Sequence, residues 1–495
     1  MSNWDGKLDV VLVGGGMISI EVILPTLFQE RREGRIGKIS VSALDAKSIK
    51  RVQKFFPDEE FTPYPDPEKV EDENKPYPEE FKNAIDSLGK YGFVIVATPD
   101  HFHTPVIMYA LEKGKDVVCE KPLCLKVKEV WEIQQKAREK GLYVYTDYHK
   151  RHDRAIRGVK YRIGKGDLGE ILYGHAWIEE KKEMPLKNFA LWAHESSSFE
   201  YIGVHYADIY YFVTGLKPKR LIGFGQKKFL PTRGMDVYDA VEAVIEWENG
   251  SVFWIQTNWI LPQSTTALTN QGLQITGTKG EYKADHKDRN CYIVTDDGGY
   301  EHYNPNFFKP FDSWDHPGEV DMVGYGYESL VQGFNDIRNI LKATEGMTEE
   351  EELSKRNLIQ LKNKPKNITF NNGDQPHQKI AVIEPLYPGY GTTLGNALRR
   401  VLLSSLPGTA VIGVKIKGAD HEFMALPNVA EDVLDIALNL KKLAFKLYSD
   451  EVVKLELDVR GEKEVTAADI KKNSDVEIIN KDLVLAHITD PAGSL

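Results

Sequence analysis

The stretch from Asp9 to Ser19, DVVLVGGGMIS, constrains the fold most. Val10, Val11, Leu12 and Val13 form a continuous apolar run, the pattern of a strand buried on both faces of a parallel sheet. Gly14, Gly15 and Gly16 follow at once. A pyrophosphate needs a tight turn, close backbone approach and free N–H groups at a helix N-terminus, and residues without Cβ give all three. The pattern reads Gly14-x-Gly16-x-x-Ser19, with serine where a dinucleotide turn ends on glycine or alanine. Three glycines also serve as a plain strand-to-helix turn, so the surrounding chain must decide.

Val22, Ile23, Leu27 and Phe28 recur at helical spacing, with a local kink expected at Pro25. Ile39 to Leu44 reads as the next strand, ending on Asp45. An acid there can hold the adenosine ribose by its hydroxyls and repels a 2′-phosphate, which favours NAD over NADP; it can equally cap the next helix. Asp45 lies about thirty residues past Gly14 against ~20 in the minimal unit, so a longer helix or loop through Gly34 and Gly37 is expected. Pro63 to Pro78 reads as a solvated loop, Phe93 to Ala97 as a buried strand. A helix carrying Val106, Ile107, Ala110 and Leu111 ends at Gly114, and the strand Asp116 to Cys119 runs into Glu120-Lys121-Pro122. Lys121 thereby falls at the carboxyl rim where open α/β sheets bind ligands.

At 495 residues the chain is too long for one ordinary core, and roughly three or four domains are expected. A formal net charge of -11 argues against a broad electrostatic footprint for nucleic acid. Cys119, Cys124 and Cys291 form neither a ligand-spaced set nor a disulfide framework, which points to a reducing compartment. No run reaches the ~20 apolar residues of a membrane span and no leader pattern opens the chain, so a cytoplasmic protein without membrane contact is expected.

In order, VGGGMIS, LD, ATPDHFHTP, GKDVVCEKPL and GVHYAD resemble the Gfo/Idh/MocA family of NAD(P)-dependent oxidoreductases over roughly residues 8–345. The resemblance implies a Rossmann domain over residues 1–150 and an α+β domain with a mostly antiparallel sheet over 151–347. It also implies hydride transfer between NAD and a sugar or polyol-like hydroxyl, and a homo-oligomer. By the same resemblance Lys121 is a catalytic and cofactor-orienting residue, and Gly14, Gly16, Ser19, Asp45, Thr98, Pro99, His103 and Glu120 line the cofactor cleft. A lysine desolvated in a closed cleft can lower its pKa and share in moving a proton from a hydroxyl.

Ile171 to Ile178, Ala240 to Glu248, Ser251 to Trp259 and Leu273 to Gly277 have the β-branched and aromatic content of strands, and Glu248-Asn249-Gly250 is a hairpin turn. Between them lies Tyr201-Ile202-Gly203-Val204-His205, where the family pattern has Asp, any, Gly, any, His. His205 is a suitable general base. Tyr201 replaces the aspartate, either as a hydroxyl donor or as a change that weakens or repurposes the site. The pair His149 and His152, and His194, lack a metal-ligand spacing, and no metal is implied.

Tyr325-Gly326-Tyr327 opens a helix carrying Leu330, Phe334, Ile337 and Ile340. Thr348 with Glu351 then makes a capping box, but no apolar stripe follows, so a capped, unburied helix is expected in a junction over 348–357. Beyond it, IEPLYPGYGTTLGNALRRVLLSSLPG, HEF, EDVLDIALNLKKL, LELDVRGEKEVTAADI and DVEIIN resemble the N-terminal domain of the bacterial RNA polymerase α subunit. The resemblance implies a partial dimerisation domain over 358–406 and a partial insert domain over 407–495, hence α and β-type polymerase subunits as partners. It makes a polymerase α fragment, with an incidental oxidoreductase before it, the alternative reading of the whole chain. Leu394, Ala397, Leu398, Val401 and Leu402 give one apolar face to a helix over 393–404, which in that family builds the α dimer. The part that completes this layer is expected after residue 495, so two partial genes meeting near residue 357 are inferred, and a tail that, expressed alone, is partly disordered or self-associating and does not assemble polymerase.

Overall fold

The computed structural model describes residues 4–287, 289–360, 367–372, 378–384, 398–399, 408–449 and 451–495, which divide into two compact units, Met1–Lys366 and Asn367–Leu495. In the first unit, β1 (Leu8–Val13) is buried on both faces, and the alternation of its side chains sends Val10 and Leu12 into one apolar layer and Val11 and Val13 into the other. Around it stand α1 (Leu24–Arg32), β2 (Ile36–Ser42), α2 (Ala46–Phe55), β3 (Thr62–Tyr64) and α3 (Glu80–Asp86). These are followed by β4 (Gly92–Val96), α4 (His103–Glu112), β5 (Asp116–Glu120), α5 (Val127–Lys140) and β6 (Val144–Asp147). The sheet is parallel throughout in the order β3-β2-β1-β4-β5-β6, the doubly wound order whose reversal point lies between β1 and β4.

The glycine turn closes β1 as its sequence requires. Gly14 has φ +127° and an added Cβ would sit 2.2 Å from the Ala97 carbonyl oxygen. Gly14→Ala is therefore expected to destabilise the first unit by at least ~2 kcal/mol, measured as a lower urea midpoint. Val22, Ile23, Leu27 and Phe28 are all buried. The kink expected at Pro25 is taken up by a π turn over Ser19–Ile23, with Pro25 in the first turn of α1, where its missing N–H costs no bond. β2 stops at Ser42 rather than running to Leu44, because Asp45 leaves the sheet to cap α2. The extra length before Asp45 is a longer helix rather than a loop: helical turns run from residue 17 to Arg32, Gly34 turns the chain, and Gly37 already lies in β2.

After α6 (Arg154–Gly164) comes β7 (Ile171–Lys181), then α7 (Val204–Thr214), β8 (Pro218–Gln226), β9 (Ala240–Trp247), β10 (Val252–Leu261), β11 (Thr269–Gly277) and β12 (Glu281–Asp285). They form a sheet in the order β12-β11-β7-β10-β9-β8, antiparallel except for the β7–β10 pair. Gly250, at φ +84°, turns β9 into β10. Ala176, Ile178, Ala243, Ile245, Phe253 and Ile255 face α6 and α7, whereas Tyr173, Ile222, Phe224 and Trp254, on the opposite face, are exposed. Two hairpins, β13 (Tyr292–Thr295) with β14 (Gly299–His302) and β15 (Lys309–Asp312) with β16 (Val320–Val323), lead to α8 (Tyr325–Ala343), which lays Leu330, Phe334 and Ile337 on the first sheet.

α9 (Glu349–Gln360) corrects the expectation of an unburied helix. Its capping box is present, Thr348 N–H donating to Glu351 at 2.9 Å. Among its described side chains, the buried one is charged. Arg356 Nη1 donates to both oxygens of Asp116, at 2.9 and 3.1 Å, and its Nε donates to Glu352 at 2.9 Å.

In the second unit β17 (Asn367–Asn372) pairs antiparallel with β18 (Lys379–Glu384). α10 (Val433–Leu440) is capped by Asp432 and packs Val433 and Ile436 on Leu426 and Ala486. Two small sheets complete it, β19 (Phe445–Leu447) with β21 (Val476–Ile478) and β20 (Lys463–Thr466) with β22 (Val484–Ile488). The helix expected over 393–404 lies outside the described residues apart from Leu398 and Arg399. Among the described residues no helix is long and apolar enough to cross a membrane.

Candidate active site

The carboxyl ends of β1, β4, β5 and β6 deliver the glycine turn, Thr98-Pro99, Glu120-Lys121 and Asp147 to one rim of the first sheet. The glycine turn on this rim is open. An added Cβ at Gly16 would meet nothing within 4 Å, and two buried hydroxyls on this rim, Ser19 Oγ and Thr98 Oγ1, have no hydrogen-bond partner. Unsatisfied buried hydroxyls at a helix N-terminus beside an open glycine turn fit an anionic dinucleotide, which brings the missing acceptors. His103 ties this edge together, its Nδ1 lying 2.7 Å from the Pro122 carbonyl oxygen and its Nε2 2.8 Å from that of Thr98. Burial holds its pKa below the usual histidine value. Asp45 accepts the Ser48 N–H at 2.8 Å, so one carboxylate oxygen caps α2 while the side chain stays half-buried. Both roles open to Asp45 in the sequence are thus compatible: a carboxylate has a second oxygen to offer a ribose.

Lys121, Tyr201 and His205 come together across the two sheets. Lys121 is buried and its Nζ donates to the Tyr201 carbonyl at 2.9 Å, lying 4.1 Å from the centroid of the same residue's ring. Tyr201 is held among Phe189, Trp192 and Trp259, whose ring centroids lie 4.7, 5.6 and 6.2 Å from its own. Burial keeps its phenol well above the ordinary range, so it is an O–H donor rather than a phenolate. A π turn over Phe199–Gly203 feeds α7, and Arg151 clamps that helix by donating its Nε to Asp208 at 2.7 Å. His205, one turn above, is buried with its Nδ1 unpartnered. Burial, with His149 and Lys121 nearby, pushes its pKa well below the ordinary value. A neutral, dry imidazole with a free lone pair can accept a proton.

Four further residues close the site, and the sequence reading gave none of them a role there. Glu180 on β7 accepts the Trp259 indole N–H at 3.0 Å, and burial pushes its carboxyl up to about 7. Lys150 donates to Gln271, and burial pulls its ammonium down to about 7. Asp147 ends β6 and His149 follows it. The strand-end rule that selected Lys121 would have selected these two as well; nothing in the alternation of β7 marks Glu180.

Residues 8–148 match the family described as an oxidoreductase family with an NAD-binding Rossmann fold, and residues 156–283 match the Gfo/Idh/MocA C-terminal domain. Residues 414–493 match the RNA polymerase Rpb3/RpoA insert domain. Among solved structures, myo-inositol 2-dehydrogenase from Lactobacillus plantarum aligns at 16% identity with a TM-score of 0.50, covering 72% of this chain and 95% of that one. GenD2 from gentamicin A biosynthesis, in complex with NAD, aligns at 15% identity with a TM-score of 0.50, covering 72% and 94%. These two likenesses are of fold. The DNA-directed RNA polymerase subunit alpha of Bacillus velezensis is 55% identical over 129 residues, 26% of this chain. The chain spans 41% of the length of that relative.

Proposed function

Residues 8–283 belong to the Gfo/Idh/MocA oxidoreductase family, and from this premise we propose that the first unit is an NAD-dependent oxidoreductase acting on a hydroxyl of a sugar or polyol-like substrate. The observation that carries this reading is the convergence of Lys121, Tyr201 and His205 at the rim beside the glycine turn. Gly14, Gly16 and Ser19 would hold the pyrophosphate, Asp45 the ribose hydroxyls, and Thr98, Pro99, His103 and Glu120 the nicotinamide side of the cleft. The bound nicotinamide supplies a two-electron hydride acceptor. His205 takes the proton of the substrate hydroxyl, Lys121 orients that oxygen and stabilises the negative charge that grows on it, and Tyr201 donates a hydrogen bond in place of the family aspartate. The aromatic wall keeps water out. The test is NADH formation at 340 nm across a panel of inositols, sugars and sugar acids. Absence of turnover on all of them with either cofactor, while NADH still binds, would point to Tyr201 as a disabling change.

NADH should bind more tightly than NADPH, because Asp45 accepts from a 2′-hydroxyl and repels a 2′-phosphate. Asp45→Ser is expected to narrow that gap by roughly 1 to 2 kcal/mol in a fluorescence titration. Equal affinities in the parent protein would sink this assignment.

The exposed apolar face bearing Tyr173, Ile222, Phe224 and Trp254 supports self-association through the second sheet. Light scattering on the full chain is expected to give a dimer or larger assembly, and Trp254→Glu to shift it toward monomer. A parent chain that runs as a monomer at ~10 µM would end that proposal.

For the second unit we propose an assembly role like that of the polymerase α subunit, resting on the 55% identity. Stoichiometric co-purification of the full chain with α and β-type polymerase subunits is the measurement that decides it. Its absence would leave the oxidoreductase as the working part of the chain.

A further inference from the structure

Glu120 and Asp147 face each other as register partners at the carboxyl ends of β5 and β6, and both are buried. One ligand atom from each, together with a ring nitrogen of His149, lies within 4.8 Å of the others. Glu120 Oε1 is buried without a partner, while the Ser329 hydroxyl donates to Asp147 and fixes that carboxylate. Lys121, next in sequence, gives its hydrogen bond to the Tyr201 carbonyl, while its charge draws both carboxyls down against the upward push of burial. Among the described residues no lysine or arginine nitrogen lies within 4.0 Å of either carboxylate. The His205 ring centroid lies 4.7 Å from that of His149, and its Nδ1 is buried without a partner. Two adjacent buried carboxyls must take up either protons or a cation. The added imidazole favours the cation, because a proton shared between the carboxyls would leave the His149 nitrogen with no role there.

We propose that Glu120, Asp147 and His149 form a site for one divalent transition-metal ion, Zn2+ or Mn2+. One nitrogen and two oxygen donors suit these ions, whereas Ca2+ and Mg2+ favour all-oxygen sets. Metal–ligand distances of about 2.0–2.2 Å ask the donors to approach by roughly 1 Å or less, within reach of side-chain rotation. The inference rests on the same reading of the rim, because Glu120 is also placed on the nicotinamide side of the cleft.

The test uses the full chain, stripped with a chelator and titrated with ZnCl2 or MnCl2 by calorimetry. One equivalent is expected, with a dissociation constant below ~10 µM, weakened at least ~10-fold by Asp147→Asn and by His149→Gln. Co2+ bound to the parent chain should show visible d–d bands without a thiolate charge-transfer band, which excludes Cys119, Cys124 and Cys291 as ligands. That spectrum reads the donor set even where a variant fails to fold. No saturable binding, binding that survives both substitutions, or a thiolate band would overturn the site. An NADH titration of the same stripped protein reads the cofactor site separately.

Discussion

Lys121→Ala is expected to lower turnover by ~10²-fold or more while leaving NADH affinity within a few-fold of the parent. The ammonium is buried and held by the Tyr201 carbonyl and ring, so its position is set by the protein before any substrate arrives. Truncation removes the charge that meets the substrate oxygen but none of the groups proposed for the pyrophosphate or ribose. Lys121→Arg should not rescue, because a planar guanidinium cannot replace a compact ammonium 4.1 Å from a ring centroid in a closed site. His205→Ala should slow the same step, seen as a fall in kcat and in kcat/KM together. Parental turnover in both variants, on a substrate the enzyme accepts, would make the Lys121 and His205 assignment wrong.

Arg356→Ala is expected to destabilise the first unit by about 3–5 kcal/mol, the scale for removing one partner of a buried ion pair. Both side chains are enclosed, at 6% and 3% exposure for Arg356 and Asp116, and the substitution strands the Asp116 carboxylate beneath α9. All eight tryptophans precede residue 367, so a urea titration followed by tryptophan fluorescence reports this unit alone. Ending the chain at Met347 should cost as much. Joint replacement, Asp116→Asn with Arg356→Leu, should recover most of the loss, because it removes both charges from the interior. An unchanged midpoint for Arg356→Ala would show that α9 is not docked in solution.

Local pattern fixed the first sheet and its rim. Four apolar residues in succession can be buried only between two layers, Gly14 turns the chain where a Cβ would collide with the Ala97 carbonyl, and Glu120-Lys121-Pro122 closes a strand, which puts Lys121 at the ligand edge. These are properties of neighbours in sequence, so the chain states them outright. The run from Ile383 to Asn480 likewise disclosed a second family through identities that no periodicity explains. What the sequence could not state is which distant groups share a space. Glu180, Asp147 and His149 reach the site from a strand of one sheet and the end of the other, and their burial follows from the packing of the two sheets. α9 was misread for a related reason. Periodicity detects a helix that buries apolar side chains, whereas this one buries an arginine, and Arg356 becomes an interior residue only because Asp116 lies opposite it, 240 positions away. Burial of an apolar group depends on its own chemistry; burial of a charge depends on a partner, and only the tertiary structure supplies the partner.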